Sequence, residues 1–147
     1  MVQTRISTVV LFLAASLTLG VPANAETIPL STIEDLQKIG NDDAFPLNGS
    51  YVLTQDMDAR ATATWNDGAG FDPIGEYNYF SSSKSFKGTL DGQGHVILGL
   101  NINRPDQDFV GMFEYVGNTG LIKNVVLLGG AVRGRYRVGA LAATVDG

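Results

Sequence analysis

Cysteine is absent from the 147 residues, and histidine occurs once, at position 95. Without cysteine no disulfide can form, so apolar burial and backbone pairing must hold the fold. One histidine gives a Ser-His-Asp triad or a histidine-rich metal site no alternatives to choose from. There is no His-Glu-x-x-His stretch, which excludes the zinc-peptidase chemistry carried by that motif. Cations are scarce too: ten Lys and Arg stand against fifteen Asp and Glu, for a formal charge of −5. Such a balance argues against general nucleic-acid binding and against docking on anionic membranes.

A membrane-length apolar run is also lacking. Ile6 to Gly20 is almost unbroken apolar sequence, but a span needs about 20 such residues. It follows the short basic start Met1–Arg5 and leads to Val21-Pro22-Ala23-Asn24-Ala25, which ends in Ala-x-Ala. This is the layout of a secretory signal peptide over residues 1–25, cleaved after Ala25. Arg5 is its one charge, so the mature chain from Glu26 carries −6. The expected location is secreted or cell-surface, with no stable membrane span after cleavage.

Glycine, by contrast, is abundant at 18 residues, and short Val/Ile/Leu runs lie between the glycines. The reference stretch is Phe86 to Asn103, FKGTLDGQGHVILGLNIN. Its Asp91-Gly92-Gln93-Gly94 segment supplies the left-handed backbone that a sharp corner needs. Asp-Gly between strands would ordinarily suggest a two-residue hairpin, but the pattern recurs downstream. Ile97-Leu-Gly-Leu100-Asn-Ile102 is echoed by Ile122-Lys-Asn-Val125-Val-Leu127, and Val110-Gly111-Met112-Phe113 by Val138-Gly139-Ala140-Leu141. Offsets of 25 and 28 residues predict a solenoid, with short strands stacked about 4.8 Å apart and glycines at the corners. The expected class is all-β, a parallel β-helix with a short N-terminal capping helix. Ser31-Thr32-Ile33-Glu34 reads as a capping box with Ser31 as N-cap, followed by the stripe Ile33, Leu36, Ile39 and a terminal Gly40. Residues 26–50 are then cap helix and loop, and residues 51–147 are coils. They stop where a further strand is due, as if a longer chain were truncated.

Phe71-Asp-Pro-Ile-Gly75, Phe86 to Ile97, and Gly111-Met-Phe-Glu-Tyr-Val-Gly117 through Gly120-Leu-Ile-Lys-Asn124 resemble the N-terminal part of GLUG-motif proteins. That family is similar to filamentous-haemagglutinin adhesins and to the non-catalytic region of IgA-specific metalloproteases. The resemblance implies a right-handed β-helix, exported, within a much longer polypeptide. Glu114 replaces a motif glycine in the first copy, and Ala142 and Ala143 close the second.

Several side chains are candidates for chemistry, each beside a plainer structural account. Asp91 and His95 flank the central turn and could form a catalytic pair, or simply cap and end it. Asp56 and Asp58 alternate along a strand, with Asp72 and Asp91 on possible neighbouring rows. They could serve a glycoside hydrolase or bind Ca²⁺, or stay solvated. Arg133, Arg135 and Arg137 would share an outward face if extended, fit for an anionic glycan, or splay into water at a corner. Trp65, Tyr77, Tyr79 and Phe80 could make a sugar-stacking platform or pack beneath their own loops. No catalytic, cofactor-binding or metal-binding residue is assigned. The expected function is a non-enzymatic, adhesin-like surface scaffold with a glycan or cell-surface protein as partner, able to self-associate through its last coil. A β-helix carbohydrate-active enzyme, a lyase or hydrolase, is the alternative.

Overall fold

The computed structural model describes residues 26–146; the signal peptide assigned to residues 1–25 lies outside the described residues. The described chain is mostly strand. It opens with β1 (Thr27–Leu30) and a single short α-helix, α1 (Ile33–Gln37). Strands β2 (Ser50–Leu53) and β3 (Met57–Asp58) follow, then two 3-10 turns over Arg60–Thr64 and Asn66–Gly68. Two runs of five strands complete it. The first comprises β4 (Thr89–Asp91), β5 (Val96–Leu98), β6 (Asn101–Asn103), β7 (Asp108–Val110) and β8 (Phe113–Val116). The second comprises β9 (Leu121–Lys123), β10 (Val126–Leu128), β11 (Ala131–Arg133), β12 (Tyr136–Val138) and β13 (Ala142–Val145).

These strands pair in parallel. β4 to β8 lie beside β9 to β13 in the same order, each strand against its counterpart about 30 residues on. On the other flank β4 pairs with β2, β2 with β1, and β5 with β3. The Asp91–Gly94 segment is therefore a corner and not a hairpin, since β4 and β5 belong to different sheets. Two left-handed positions of the middle run, one at a corner and one inside a strand, recur in the last run. Gln93 and Asn124 each have φ 54°, while Phe109 and Arg137 have φ 58° and 50°. Gly92 shows why a corner can demand glycine. A Cβ there would sit on the backbone carbonyl of Asn124 in the adjoining layer, and backbone cannot move aside as a flexible side chain can.

The core extends from β1 and α1 through β8. Leu90, Ile97, Ile102, Val110, Phe113 and Val116 alternate inward from the middle strands and are buried. Each such side chain is worth about 1.5–3 kcal/mol when removed from water. A chain of rings joins successive layers: Phe45 stacks on Tyr51, Tyr51 approaches Phe86, and Phe86 lies 4.8 Å from Phe113. The Tyr51 hydroxyl donates to Pro46 O at 2.6 Å, and burial pushes its pKa up to about 12.

Helix α1 closes one end, burying Ile33 and Leu36, with Ile39 just beyond it. The N-cap is Thr32 and not Ser31. Thr32 Oγ1 accepts from Asp35 N, and the Asp35 carboxylate accepts from Thr32 N, so the box closes on Asp35 at N3 and not on Glu34. Ser31 points its hydroxyl at Thr54 instead. Strand β1 lies within residues 26–50, where the sequence predicts only cap helix and loop. It runs in register with β2, from Thr27 against Ser50 to Leu30 against Leu53.

Candidate functional site

The structure separates Asp91 from His95. His95 Nδ1 lies 3.1 Å from Asp56 Oδ1, which also accepts from Val96 N at 2.9 Å. Asp91 instead ties two layers together. Asn124 Nδ2 and Gln93 N each donate to its Oδ1 at 3.0 Å, and Lys123 Nζ sits 3.2 Å from Oδ2. The Asn124 amide, then the Gln93 N–H and Lys123, lower its pKa to about 2.

The other aspartates are engaged one by one. Asp58 meets Arg60 at 2.6 Å, and Asp72 meets Arg104 at 2.8 Å. The expected common face of Asp56 and Asp58 with Asp72 and Asp91 is thus divided among four separate partners. Among the described residues no group of three or more His, Asp or Glu side chains could hold a metal ion.

The three arginines do not share one extended strand. Arg133 ends β11, Arg135 lies between strands, and Arg137 sits mid-β12 with a left-handed backbone. Arg135 forks onto Asp108 at 2.8 and 3.0 Å, while Arg137 stacks over the Phe109 ring. Two of the three guanidinium groups are therefore spent on the layer beneath.

The four aromatic residues also part company. Tyr77 stacks on Phe109 with centroids 4.2 Å apart and meets Tyr115 edge-on. Tyr79 and Phe80 meet edge-on and are 82% and 93% exposed, so they pack beneath no loop. Trp65 packs partly against the core and lines a cavity of about 510 Å³ with Glu34, Gln37, Asn41, Asp42 and Asp72. Gln37 latches the two walls, because its Nε2 donates to Asp72 O at 3.0 Å while its Oε1 accepts from Asp72 N at 2.8 Å. Asn66 and Asp67, with φ 51° and 55°, hold the turn behind the indole, and Asn66 Nδ2 donates to Gly70 O.

A second cavity, about 410 Å³, shares Asn41 and Asp72 with the first and continues past Glu76 and Lys84 to Glu114. Glu114 was read only as a motif departure. It is half-buried and accepts from Tyr77 N at 2.8 Å, and burial raises its pKa above the usual carboxylate value. Its one sequence signal was a charged residue inside an otherwise apolar strand.

The last five strands form the other distinctive surface. No residue from 121 to 146 is buried. Leu128 is 57% exposed and Val145 62%, with Leu121, Val126 and Val138 also exposed.

No family model matches the chain, and no solved structure resembles it. It is similar to halomucin from Haloquadratum walsbyi, 42% identical over 120 residues, which cover 80% of this chain and 1% of that protein. It is also similar to a Gly-rich membrane protein from Evansella cellulosilytica, 35% identical over 79 residues, covering 54% of this chain and 8% of the relative. The chain thus spans a small fraction of the relatives it matches. Among the described residues no helix is long and apolar enough to cross a membrane.

Proposed function

We propose that this chain is a non-enzymatic, exported surface scaffold, a right-handed parallel β-helix module of the kind the GLUG-motif resemblance implies. The observation that carries it is the layer-on-layer register of β4–β8 against β9–β13. The two relatives, one a mucin by name and the other a membrane protein, support a place at the cell surface. Display is the mechanism: stacked strands make a stiff rod, and the loops between them face outward toward a partner.

The same register favours association through β9–β13. That layer offers unpaired strand edges and the partly covered inward side chains Leu127, Val132 and Leu141, the surface on which a further layer would rest. The test is mass in solution across a concentration series, for the wild type and for Leu141→Lys. The wild type should associate and the variant should not; a cooperatively folded wild type that stays monomeric at high concentration would sink this part of the reading.

One observation favours the alternative, a carbohydrate-active enzyme. Glu114 holds its proton more tightly than usual in a cavity that also contains Asp72 and Glu76, as an acid–base pair requires. Asp72 is engaged by Arg104, however, and does not face Glu114 as a free partner. The purified protein should turn over none of a panel of polysaccharides. Activity that vanishes in Glu114→Gln or Asp91→Asn would put the enzyme first.

A further inference from the structure

We infer that the groove between α1 and the 65–76 segment is a binding site for a neutral saccharide, seated on Trp65. Sugar-sized ligands fit clefts of roughly 300–1,000 Å³ that combine an apolar platform with a few placed polar groups. The first cavity, at about 510 Å³, lies in that range. Its platform is the indole of Trp65, buried on its core side and open to the cavity. An aromatic ring of this kind suits the C–H face of a pyranose, while the hydroxyl edge needs paired donors and acceptors. Those surround the ring. Asn41 keeps its Oδ1 as an acceptor while Nδ2 donates to Gln37 O. The Asp42 carboxylate caps Ala44 N through Oδ1, leaving Oδ2, and Glu34 stands at the rim.

The ligand's charge follows from how the rim is neutralised. Asp72 already faces Arg104, and Lys38 on the rim is held by Asp35 at 2.9 Å. An incoming cation would find one aromatic ring, with no cage around it, and carboxylates partly compensated. An anion would meet Glu34, Asp42 and Asp72 together. A polyol needs neither charge, and losing its water is cheap beside the cost of desolvating an ion.

The site is built before any ligand arrives. The reciprocal Gln37–Asp72 bonds fix α1 against the loop, so little ordering cost falls on binding. The second cavity shares Asn41 and Asp72 with the first and extends the groove beyond one sugar ring, so a chain should bind better than a monosaccharide. The groove shares no residue with β9–β13, and its binding can be measured whether or not copies of the chain associate.

Trp65 is the only tryptophan, so intrinsic fluorescence reports directly on the site. The purified protein is titrated with hexaoses of glucose, mannose and N-acetylglucosamine, with the matching monosaccharides, and with choline chloride and dextran sulfate. The top concentration is about 10 mM, where a millimolar site would be nine-tenths filled. At least one neutral hexaose should give a saturable change, at least tenfold tighter than its monosaccharide. Calorimetry should show Trp65→Ala weakening it at least tenfold. Should that variant fail to fold, Asn41→Ala and Glu34→Ala are measured in its place and should each bind several-fold more weakly. A response to choline or dextran sulfate alone, no response to any neutral probe, or unchanged affinity in the variants would each overturn the inference.

Discussion

Strands β4–β8 and β9–β13 are the same five-strand run written twice, in parallel and in order, yet only the first is buried. Leu90, Ile97, Ile102 and Val110 are at most 1% exposed; their partners Ile122, Leu127, Val132 and Val138 are all partly or fully open. β4 and β5 are paired on both flanks while β9 and β10 are paired on one, so the difference is one of neighbours. The middle run has a layer on each side and the last run on one. In stacked strands, position in the stack decides what a given apolar side chain contributes.

The sharpest break of that comparison is at Ile97 and Leu127, which face each other in register. Ile97→Ala should cost about 2–4 kcal/mol by denaturant unfolding, and Leu127→Ala about 1, because only the first leaves an enclosed cavity. Equal costs would mean that the last layer is covered in solution.

Adjacent glycines at the next corner offer a smaller contrast. Gly129 has φ 66° with open space around it, whereas a Cβ on Gly130, at φ 83°, would strike the Leu100 carbonyl of the middle layer. Gly129→Ala should cost about 1 kcal/mol for the left-handed backbone alone, and Gly130→Ala at least twice that, since the clash adds to the strain. Thermal unfolding of the two variants checks it; equal shifts would show that the layers can part at this corner.

Asp91, the electrostatic tie between the layers, should give the smallest effect, and one that depends on pH. Its pKa is depressed in the fold to about 2 from an ordinary 3.8. Its contribution is therefore present above the ordinary value and lost as pH falls through about 2. Asp91→Asn should lower Tm at pH 7 and converge with wild type near pH 2. A constant gap across that window would show that the carboxylate's charge is not what binds Lys123 and Asn124.

The repeat was legible in the sequence, but only half of it was in register. Val110 does pair with Val138, as the echo of Val110–Phe113 suggested. Ile97 was matched to Ile122, whereas the fold pairs Ile122 with Leu90 and Ile97 with Leu127. The echo is one strand out of step, because Ile97 and Ile102 of β5 and β6 have the same spacing as Ile122 and Leu127 of β9 and β10. Four residues, Gly92 to His95, separate β4 from β5, while only Asn124 and Val125 separate β9 from β10. The corners are also uneven, so the paired offset itself drifts from 32 residues at Leu90 to 28 at Val110. Strand β1 was hidden because four residues containing a proline carry little strand signal until β2 pairs with them. The cleft was hidden for a similar reason. Trp65 could be seen as an unplaced aromatic residue, but nothing local linked it to Gln37, and the Gln37–Asp72 latch spans 35 positions. Glu114 looked like a flaw in a motif because its burial depends on the Tyr77 loop folding over it.

Pro29 sits in β1, the outermost strand of its sheet. A proline there has no N–H to offer an incoming strand, and α1 stands over the core at the same end. That edge of the sheet is therefore closed to strand addition, like a polymer chain carrying a terminator. On the proposed association through β9–β13, copies would meet edge to like edge, a two-fold and self-limiting arrangement. Association should stop at two, and a mass that kept climbing with concentration would show that the terminator leaks.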